Sequence, residues 1–325
     1  MGGPPARPAV EHYRLTLRPG RPTSFEEAPA AFRRRAYGVD YLAIRGLQGG
    51  EFYFTRAGWN LKESLVPRAW FDNERYSRIG RTLEKATGFV YLVPIAHPAR
   101  GQLGMVVKFC RFGQNVGGTH IESGLFPSAL EPQVAGAEFS GPFEEFGRLA
   151  AFRRYRSGGG RRFRTMVPLG IYCPPKRYAP WQLGRAESAQ WRYDSSLADV
   201  QAGVPVERRL VHHWDRIYVL LYRWIDGIDL EEAARCGAVT ESALRASTSN
   251  IAREVLAAGF AVLDHKARHV IVRPDRRTGG LLTRRGELVY ALIDYELLVP
   301  VSVHAEKISP SDSAEAPRSL TGFEP

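Results

Sequence analysis

Several features that are scarce in this 325-residue chain exclude whole classes of protein. Its three cysteines, Cys110, Cys173 and Cys236, form no CxxC pair and show no metal-ligand spacing, so neither a disulfide framework nor a zinc site is indicated. No window approaches the roughly 18 uninterrupted apolar residues of a membrane span. The N-terminus "MGGPPARPAV" also lacks the apolar segment of a signal peptide. We therefore expect a cytoplasmic protein without a transmembrane segment.

Lysine is scarce as well. Lys and Arg together number 45, but only six of these residues are lysine, so the net charge of +11 arises mostly from arginine. Such an excess suggests an anionic partner, which could be a nucleotide, a nucleic acid or an anionic lipid, and charge alone does not choose among them. A lysine inside a motif is correspondingly informative.

The two ends and the first part of the chain have distinct compositions. Residues 1–10 and 305–325 are rich in Pro, Ser and charge, which predicts disordered tails. Residues 11–76 read as an N-terminal extension. They combine a short helical pattern, "SFEEAPAAFRRRA", with two strand-like runs, "VDYLAI" and "EFYFTR", that the turn-forming "RGLQGG" separates. A β-hairpin is predicted in this extension.

The remainder alternates between strands and helices. "GFVYLVPI", "GMVVKF", "MVPLGIY" and "RIYVLLYRWI" predict strands. "GPFEEFGRLAAFRRYR" predicts a helix, with Pro142 at its start, glutamates in its first turn and arginines in its last. Further helices are predicted near "LEEAARCG" and over "TESALRASTSNIAREVLAAGF", which Thr240 begins. This order predicts an α+β protein with a sheet-rich first part and a helical second part.

Two aspartates lie beside short apolar runs late in the chain. Asp264 precedes "VIV" in "LDHKARHVIV", and Asp294 follows "YALI". Two carboxylates presented by one hairpin suit a Mg²⁺ ion and proton transfer, because hard cations prefer oxygen ligands. Nearby, His265 and His269 have an i, i+4 spacing, but the β-branched run argues against a helix and so against a zinc site.

Residues 78 to 298 resemble the protein-kinase-like superfamily, as an atypical, divergent bacterial-type kinase or pseudokinase. "RIGRTLEKATGFVYLV" is similar to a glycine-rich nucleotide loop, with its last glycine at Gly88 and the following valine at Val90. "GMVVKF" is similar to the VAIK strand. The resemblance implies that Lys108 pairs with the α- and β-phosphates of ATP.

The same resemblance assigns roles to the helix and the strand that follow. Glu144 and Glu145 are the candidates for an ion pair with the strand lysine, and we prefer Glu145. "RIYVLLYRWIDGIDLEEA" is similar to the strand, hinge and helix around the adenine, which implies that the backbone of Arg223 and Ile225 faces the base.

"LDHKARHVIV" resembles the catalytic loop, HRDxKxxN in outline. Asp264 falls on the catalytic base, Lys266 on the phosphate-contacting lysine and His269 on the metal-binding asparagine. "IDYE" resembles DFG, with Asp294 on the main Mg²⁺ ligand. The resemblance implies a bilobal fold: a β-rich N-lobe with hinge over residues 77–225, and a shortened helical C-lobe over residues 226–304.

The chain departs from the family pattern at several positions. Leu83 and Lys85 replace the first two loop glycines, and Lys85 is a candidate to substitute charge for backbone amides. Val262 and Leu263 replace the His-Arg pair, which argues against regulation by a phosphorylated activation segment. His269 in place of Asn is a poor match for Mg²⁺ and a good one for softer metals, so the second metal site of the family is expected to be lost or altered. Mn²⁺ is the second candidate ion beside Mg²⁺.

Three functions follow as expectations. The first is an ATP- and Mg²⁺-dependent phosphotransferase that moves the γ-phosphate to a hydroxyl, with a small-molecule or lipid-linked acceptor. The second is a pseudokinase scaffold with weak or no nucleotide turnover. The third, which has no motif behind it, is an Arg-rich nucleic-acid-binding protein. His212 and His213 are expected to be surface turn residues.

Overall fold

A computed structural model describes residues 24–46, 49–83, 89–116, 137–155, 163–185, 212–275, 277–284 and 286–301, together with residues 134, 190 and 210. These residues form an α+β fold in which one large antiparallel sheet dominates. The tails predicted over residues 1–10 and 305–325 lie outside the described residues. The boundaries proposed at residues 76 and 225 stay predictions.

The large sheet has eight strands. They are β1 (Arg33–Ala36), β2 (Val39–Arg45), β3 (Glu51–Phe54), β4 (Arg81–Thr82), β5 (Val90–His97), β6 (Gly101–Phe109), β7 (Val167–Cys173) and β8 (Val219–Arg223). Their order across the sheet is β1-β2-β3-β7-β8-β6-β5-β4, and every neighbouring pair is antiparallel. The hairpin predicted in the N-terminal extension is confirmed as β2–β3, and β3 continues the sheet by pairing with β7.

Seven short strands form three smaller sheets. They are β9 (Ile228–Asp229), β10 (Phe260–Val262), β11 (Val270–Val272), β12 (Thr283–Arg284), β13 (Glu287–Leu288), β14 (Tyr290–Leu292) and β15 (Leu298–Pro300). Strand β11 lies between β14 and β9, while β10 pairs with β15 and β12 pairs with β13. Of the two aspartates of interest, Asp294 follows β14, and Asp264 lies in the loop between β10 and β11.

Six α-helices lie within the described residues: α1 (Arg56–Trp59), α2 (Pro67–Trp70), α3 (Arg75–Ile79), α4 (Pro142–Arg154), α5 (Leu230–Arg235) and α6 (Glu241–Ala257). The starts of the later helices follow from local chemistry. Pro142 is the first residue of α4. Proline is favoured there because the backbone N–H that it lacks would have no partner within the helix. Asp229 and Thr240 cap α5 and α6, because their side chains accept hydrogen bonds from backbone amides three residues on.

A buried cluster packs against each face of the large sheet. In β6, Met105 and Val107 pack in a cluster with the residues of α1 and α2, whereas Val106 packs with Phe143 and other residues of α4. Strand residues alternate between the two faces, so consecutive apolar residues are expected where both faces are covered. The run "MVV" of β6 is therefore explained by helices on both sides, and the next residue that shares the α4 face with Val106 is Lys108.

Two sequence expectations are wrong. The helical pattern over residues 24–36 forms a 3₁₀ turn at Ala30–Phe32 and then strand β1, because Pro29 interrupts the helix and the arginines pair with β2. His212 is not a surface residue: it is 6% exposed and packs against the rings of Phe112 and Phe143. His213 is partly buried, with Nε2 3.1 Å from a Glu51 carboxylate oxygen.

Candidate functional site

The candidate site is built around Lys108 on β6. Its side chain points to the face that α4 covers, and the residue is only 8% exposed. An ammonium group at that depth needs a compensating charge, because removing an unpaired ion from water is costly. The position therefore requires carboxylate partners from elements that cover this face.

Helix α4 supplies the first partner. The fully buried Glu145 accepts hydrogen bonds at Oε1 from Lys108 Nζ at 3.2 Å and from Tyr222 OH at 2.5 Å. The neighbouring Glu144 pairs instead with Arg148, one turn along its own helix, at 2.5 Å. Of the two glutamates that the sequence left open, Glu145 is the one that contacts the strand lysine.

The β11–β14 hairpin supplies the second partner. Asp294 follows β14, and its Oδ1 accepts a hydrogen bond from Lys108 Nζ at 2.8 Å. The preceding residue, Ile293, donates its backbone N–H to the His269 carbonyl at 2.9 Å, which fixes the strand end. Asp294 has a φ of 65°, a left-handed conformation that few non-glycine residues adopt. Backbone strain of this kind is concentrated at functional sites.

A third carboxylate belongs to Glu296. Its Oε2 lies 3.4 Å from Lys108 Nζ, and the same carboxylate pairs with the Arg111 guanidinium. Its backbone carbonyl accepts hydrogen bonds from the N–H and the hydroxyl of Ser140, at 3.0 and 2.8 Å. The segment that carries Asp294 is therefore held in place at both the backbone and the side chain.

Charge pairing and burial shift the pKa values of Lys108, Asp294 and Glu145 in different directions. Burial alone would lower the pKa of Lys108, but Asp294, Glu145 and Glu296 outweigh burial and raise it well above its usual value. Burial would raise the pKa of Asp294, yet Lys108 and His269 hold it well below its usual range. Burial dominates at Glu145, whose pKa is raised although Lys108 partly offsets the effect. Lys108 and Asp294 thus form the ionised pair.

This cluster lies at the edge of a cavity of about 760 Å³. One wall comes from strands β4, β5 and β6, and the opposite wall comes from β9, β11 and the end of β14. Apolar side chains line much of the cavity, among them Val90, Val106, Met166, Ile228, Ile271 and Ile293. Charged side chains, among them Lys108 and Asp294, line the same cavity. A cavity with both kinds of lining suits a ligand that has an apolar part and an anionic part.

The residues singled out in the sequence fall into three groups. Those that line this cavity are Val90, Lys108, Ile225, His269 and Asp294. Those that lie outside its lining are Glu145, which contacts Lys108 from α4, and Arg223, Asp264 and Lys266. Lys85 and Gly88 lie outside the described residues.

The segment predicted to face a base leaves β8 beside the cavity. Arg223 is still within the sheet, opposite Met105 of β6. The next residue, Trp224, donates its N–H to the Gly104 carbonyl at 2.9 Å. Ile225 then leaves the sheet and lines the cavity, so it is the residue of the predicted pair that borders this space.

His269 and Asp294 are the candidate metal ligands. His269 Nε2 lies 3.8 Å from Asp294 Oδ2, and its Nδ1 is buried without a hydrogen-bond partner among the described residues. An imidazole nitrogen beside a carboxylate oxygen suits Mn²⁺ at least as well as Mg²⁺. Within the described part of the chain, no set of three or more His, Cys, Asp and Glu side chains is arranged to enclose a metal. A bound ion would therefore take further ligands from substrate or water.

Asp264 and Lys266 lie in the loop between β10 and β11. Asp264 is 8% exposed, and its Oδ1 lies 2.5 Å from Lys266 Nζ. His265 between them is buried, with Nε2 3.1 Å from the Thr248 carbonyl of α6. His265 and Lys266 border a second cavity, of about 700 Å³, that α5 and α6 enclose. The loop therefore separates two cavities.

Sequence reasoning missed several residues of the site. Glu296, to which the sequence assigned no role, is the third carboxylate around Lys108. Tyr222 belongs to the predicted strand "RIYVLLYRWI", and its hydroxyl contacts Glu145. Arg111 and Arg268 also line the cavity, and the sequence motifs assigned a role to neither. Only for Arg111 did the sequence contain a hint of a place near the site, because this residue lies three positions after Lys108.

No protein-family model matches this chain, and no curated protein matches it in sequence. The described helices include none with the length and apolar character that a membrane span requires.

Proposed function

We propose that the chain is an atypical phosphotransferase that binds ATP with Mg²⁺ or Mn²⁺ in the 760 Å³ cavity and transfers the γ-phosphate to a hydroxyl. One observation carries the proposal: Lys108 Nζ lies within 3.2 Å of carboxylates from two separate elements, Glu145 on α4 and Asp294 after β14. Such a cluster holds a cation at the edge of a cavity, where phosphates need one.

The proposal includes a kinase-like bilobal arrangement. The large sheet with α4 would form the N-lobe, and α5, α6 and the small sheets would form a shortened C-lobe. The arrangement is supported by the two walls of the cavity, which come from the large sheet and from the β9–β11–β14 sheet. It is also supported by the connection through Trp224 and Ile225 at the cavity rim.

The residues have distinct roles in this proposal. Lys108 would contact the α- and β-phosphates, and Glu145 would hold its amine in place. Asp294 and His269 would hold the divalent ion, which neutralises phosphate charge when it is bound. Val90 and Ile225 border the space for the base, and the Ile225 backbone is the candidate for a hydrogen bond to it. Asp264 would orient the acceptor hydroxyl and take its proton.

A second candidate function is a nucleotide-binding protein without turnover. The observation that favours it concerns Asp264, which is buried, pairs with Lys266 and does not line the cavity. A general base must reach the proton that it removes, although catalytic hydrogen bonds often tighten only when substrate is bound. Nucleotide binding alone therefore does not establish transfer.

Calorimetric titration with a non-hydrolysable ATP analogue and Mg²⁺ or Mn²⁺ tests the proposal at the binding step. Lys108→Met is expected to lower the affinity for the analogue at least tenfold, because the cation beside the phosphates is lost. Lys176→Met is the matched control, since Lys176 is exposed and lies over the Tyr178 ring. Undetectable binding to the wild-type chain would refute both candidate functions. Equal binding by wild type and Lys108→Met would refute this role of the lysine.

A further inference from the structure

Arg268 is a cation on the cavity wall that the proposed function does not use. It belongs to the 3₁₀ turn Ala267–His269, between Lys266 and the candidate metal ligand His269. Its Nε is buried and has no hydrogen-bond partner among the described residues. A buried N–H group without an acceptor is costly. Arg268 therefore brings a positive charge to the cavity lining, and one buried N–H of its guanidinium has no acceptor within the described part of the chain.

The carboxylates around the same cavity have other partners. Asp294 pairs with Lys108, and Glu296 pairs with Arg111. The other two belong to α5 and its cap: Glu232 pairs with Arg235, and Asp229 Oδ1 accepts the Glu232 N–H at 2.7 Å. None of the ion pairs within the described residues joins one of these four carboxylates to Arg268. The charge of Arg268 is thus available to a ligand.

Arginine also lines the cavity elsewhere, but in a different setting. Arg81 is exposed, and its guanidinium lies 6.0 Å from the centre of the Trp224 ring, beside the segment proposed to face the base. Arg268 lies instead in the loop that carries Asp264 and Lys266. An anion bound by Arg268 is therefore close in sequence to the residues proposed to act on the acceptor.

We infer that Arg268 binds an anionic group of the acceptor, so that the hydroxyl compound phosphorylated here already carries a phosphate monoester. This inference rests on the proposed function for the identity of the second substrate. A guanidinium can form two parallel hydrogen bonds with phosphate oxygens, which gives orientation as well as attraction. The acceptor would bind through its phosphate at Arg268, in the loop that also carries Asp264.

The nucleotide's own phosphates are the other source of the same chemistry, and the experiment separates the two. The full chain, with and without a saturating non-hydrolysable ATP analogue and Mg²⁺, is titrated with inorganic phosphate and followed by ³¹P line broadening. The variants are Arg268→Gln and Arg268→Lys. Arg253→Gln is the control, because Arg253 is an exposed residue of α6 that lines neither cavity.

The wild-type chain loaded with the analogue is expected to bind phosphate at least tenfold more tightly than Arg268→Gln. Arg268→Lys is expected to be intermediate, because it keeps the charge but not the paired donors. The affinity for the analogue should change less than twofold in every variant. Equal phosphate binding by wild type and Arg268→Gln would overturn the inference, as would an equal loss of analogue affinity, which would assign Arg268 to the nucleotide.

Failure of the proposed function gives a different result. If the wild-type chain does not bind the analogue, the phosphotransferase proposal is refuted. The inference about the acceptor is then refuted as well, because there is no phosphoryl acceptor for Arg268 to bind. Phosphate titration of the analogue-free chain then still reports whether Arg268 forms an anion site. A defect in phosphate binding alone, with normal analogue binding, supports the inference.

Discussion

Lys108 Nζ lies 2.8 Å from Asp294 Oδ1, so the sixth strand of the large sheet is joined to a carboxylate 186 residues later in the chain. Glu145 contacts the same amine from α4. Lys108 therefore connects β6 with α4 and with the segment after β14 at one buried position. Such an arrangement couples the stability of the fold to the integrity of the site.

Lys108→Met is expected to destabilise the fold as well as the site. Removing one member of a buried ion pair leaves the other charge uncompensated, which costs roughly 3–5 kcal/mol. Chemical denaturation at pH 7 measures the free energy of unfolding. Adding Glu145→Gln to Lys108→Met should recover part of the loss, since one unpaired carboxylate is then absent. The exposed Lys176→Met should lie within about 0.5 kcal/mol of wild type, and an unchanged stability for Lys108→Met would contradict the pairing.

Asp264→Asn is expected to separate transfer from binding. General base catalysis contributes roughly 10²- to 10⁴-fold, so the substitution should reduce phosphotransfer by about that factor and change nucleotide affinity less than twofold. Single-turnover transfer of radiolabelled γ-phosphate measures the first quantity, and calorimetry measures the second. Asp40→Asn, at an exposed position of β2, is the isosteric control. A wild-type chain that binds nucleotide without any transfer would favour the second candidate function.

Many of the strands and helices could be predicted from the sequence alone. The strands β5, β6 and β8 and the helices α4 and α6 follow from apolar runs, caps and charge placement, which are local signals. The pattern over residues 24–36 misled because tertiary pairing with β2 outweighed helix propensity. Helix propensity is weak compared with the pairing that a neighbouring strand offers.

For the site, the ordered motifs pointed to Lys108, Glu145 and Asp294, which the structure brings into contact. Glu296 and Arg111 were not predictable, because their pairing joins positions that no short pattern links. Nor was the pairing of Asp264 with Lys266, which depends on the turn between β10 and β11. The spacing of a motif indicates which residues are candidates for a site. Which side chains come into contact depends on the three-dimensional fold.

Glu51→Gln is expected to change the acid stability of the sheet. Burial would raise the pKa of Glu51, but hydrogen bonds with His213, Tyr53 and Arg45 outweigh it and lower the pKa from 4.5 to about 2. A lowered pKa means that the stabilisation is complete above pH 4.5 and is lost as the pH falls toward 2. The loss is on the order of 3 kcal/mol. Denaturation between pH 6 and pH 2.5 should show a shallower decline for Glu51→Gln, and parallel profiles would exclude this role.

His212→Phe is expected to remove a separate acid-sensitive step. Burial and the neighbouring His213 lower the pKa of His212 from 6.5 to about 4. The unfolded chain therefore binds a proton that the folded chain does not, and stability falls as the pH drops from 6.5 to 4. The variant should lack this decline, because a phenyl ring packs against Phe112 and Phe143 without titrating. Retention of the decline by His212→Phe would count against burial of this imidazole as its cause.

Gly227→Ala is expected to damage the fold and the cavity together. A Cβ at this position would meet the Val272 carbonyl oxygen at 2.5 Å and Ile271 Cγ2 at 2.6 Å, both on β11. Overpacking of this kind costs roughly 1–3 kcal/mol, and relief requires β11 to move away from β9. Because Gly227 and Ile271 line the cavity, nucleotide affinity should fall along with stability. Gly280→Ala is the control, since its nearest neighbour would be Thr278 Oγ1 at 3.8 Å. Calorimetry measures the nucleotide affinity of both variants, and denaturation measures their stability. A Gly227→Ala chain that loses stability but keeps full nucleotide affinity would show that nucleotide binding does not require the wild-type position of β11.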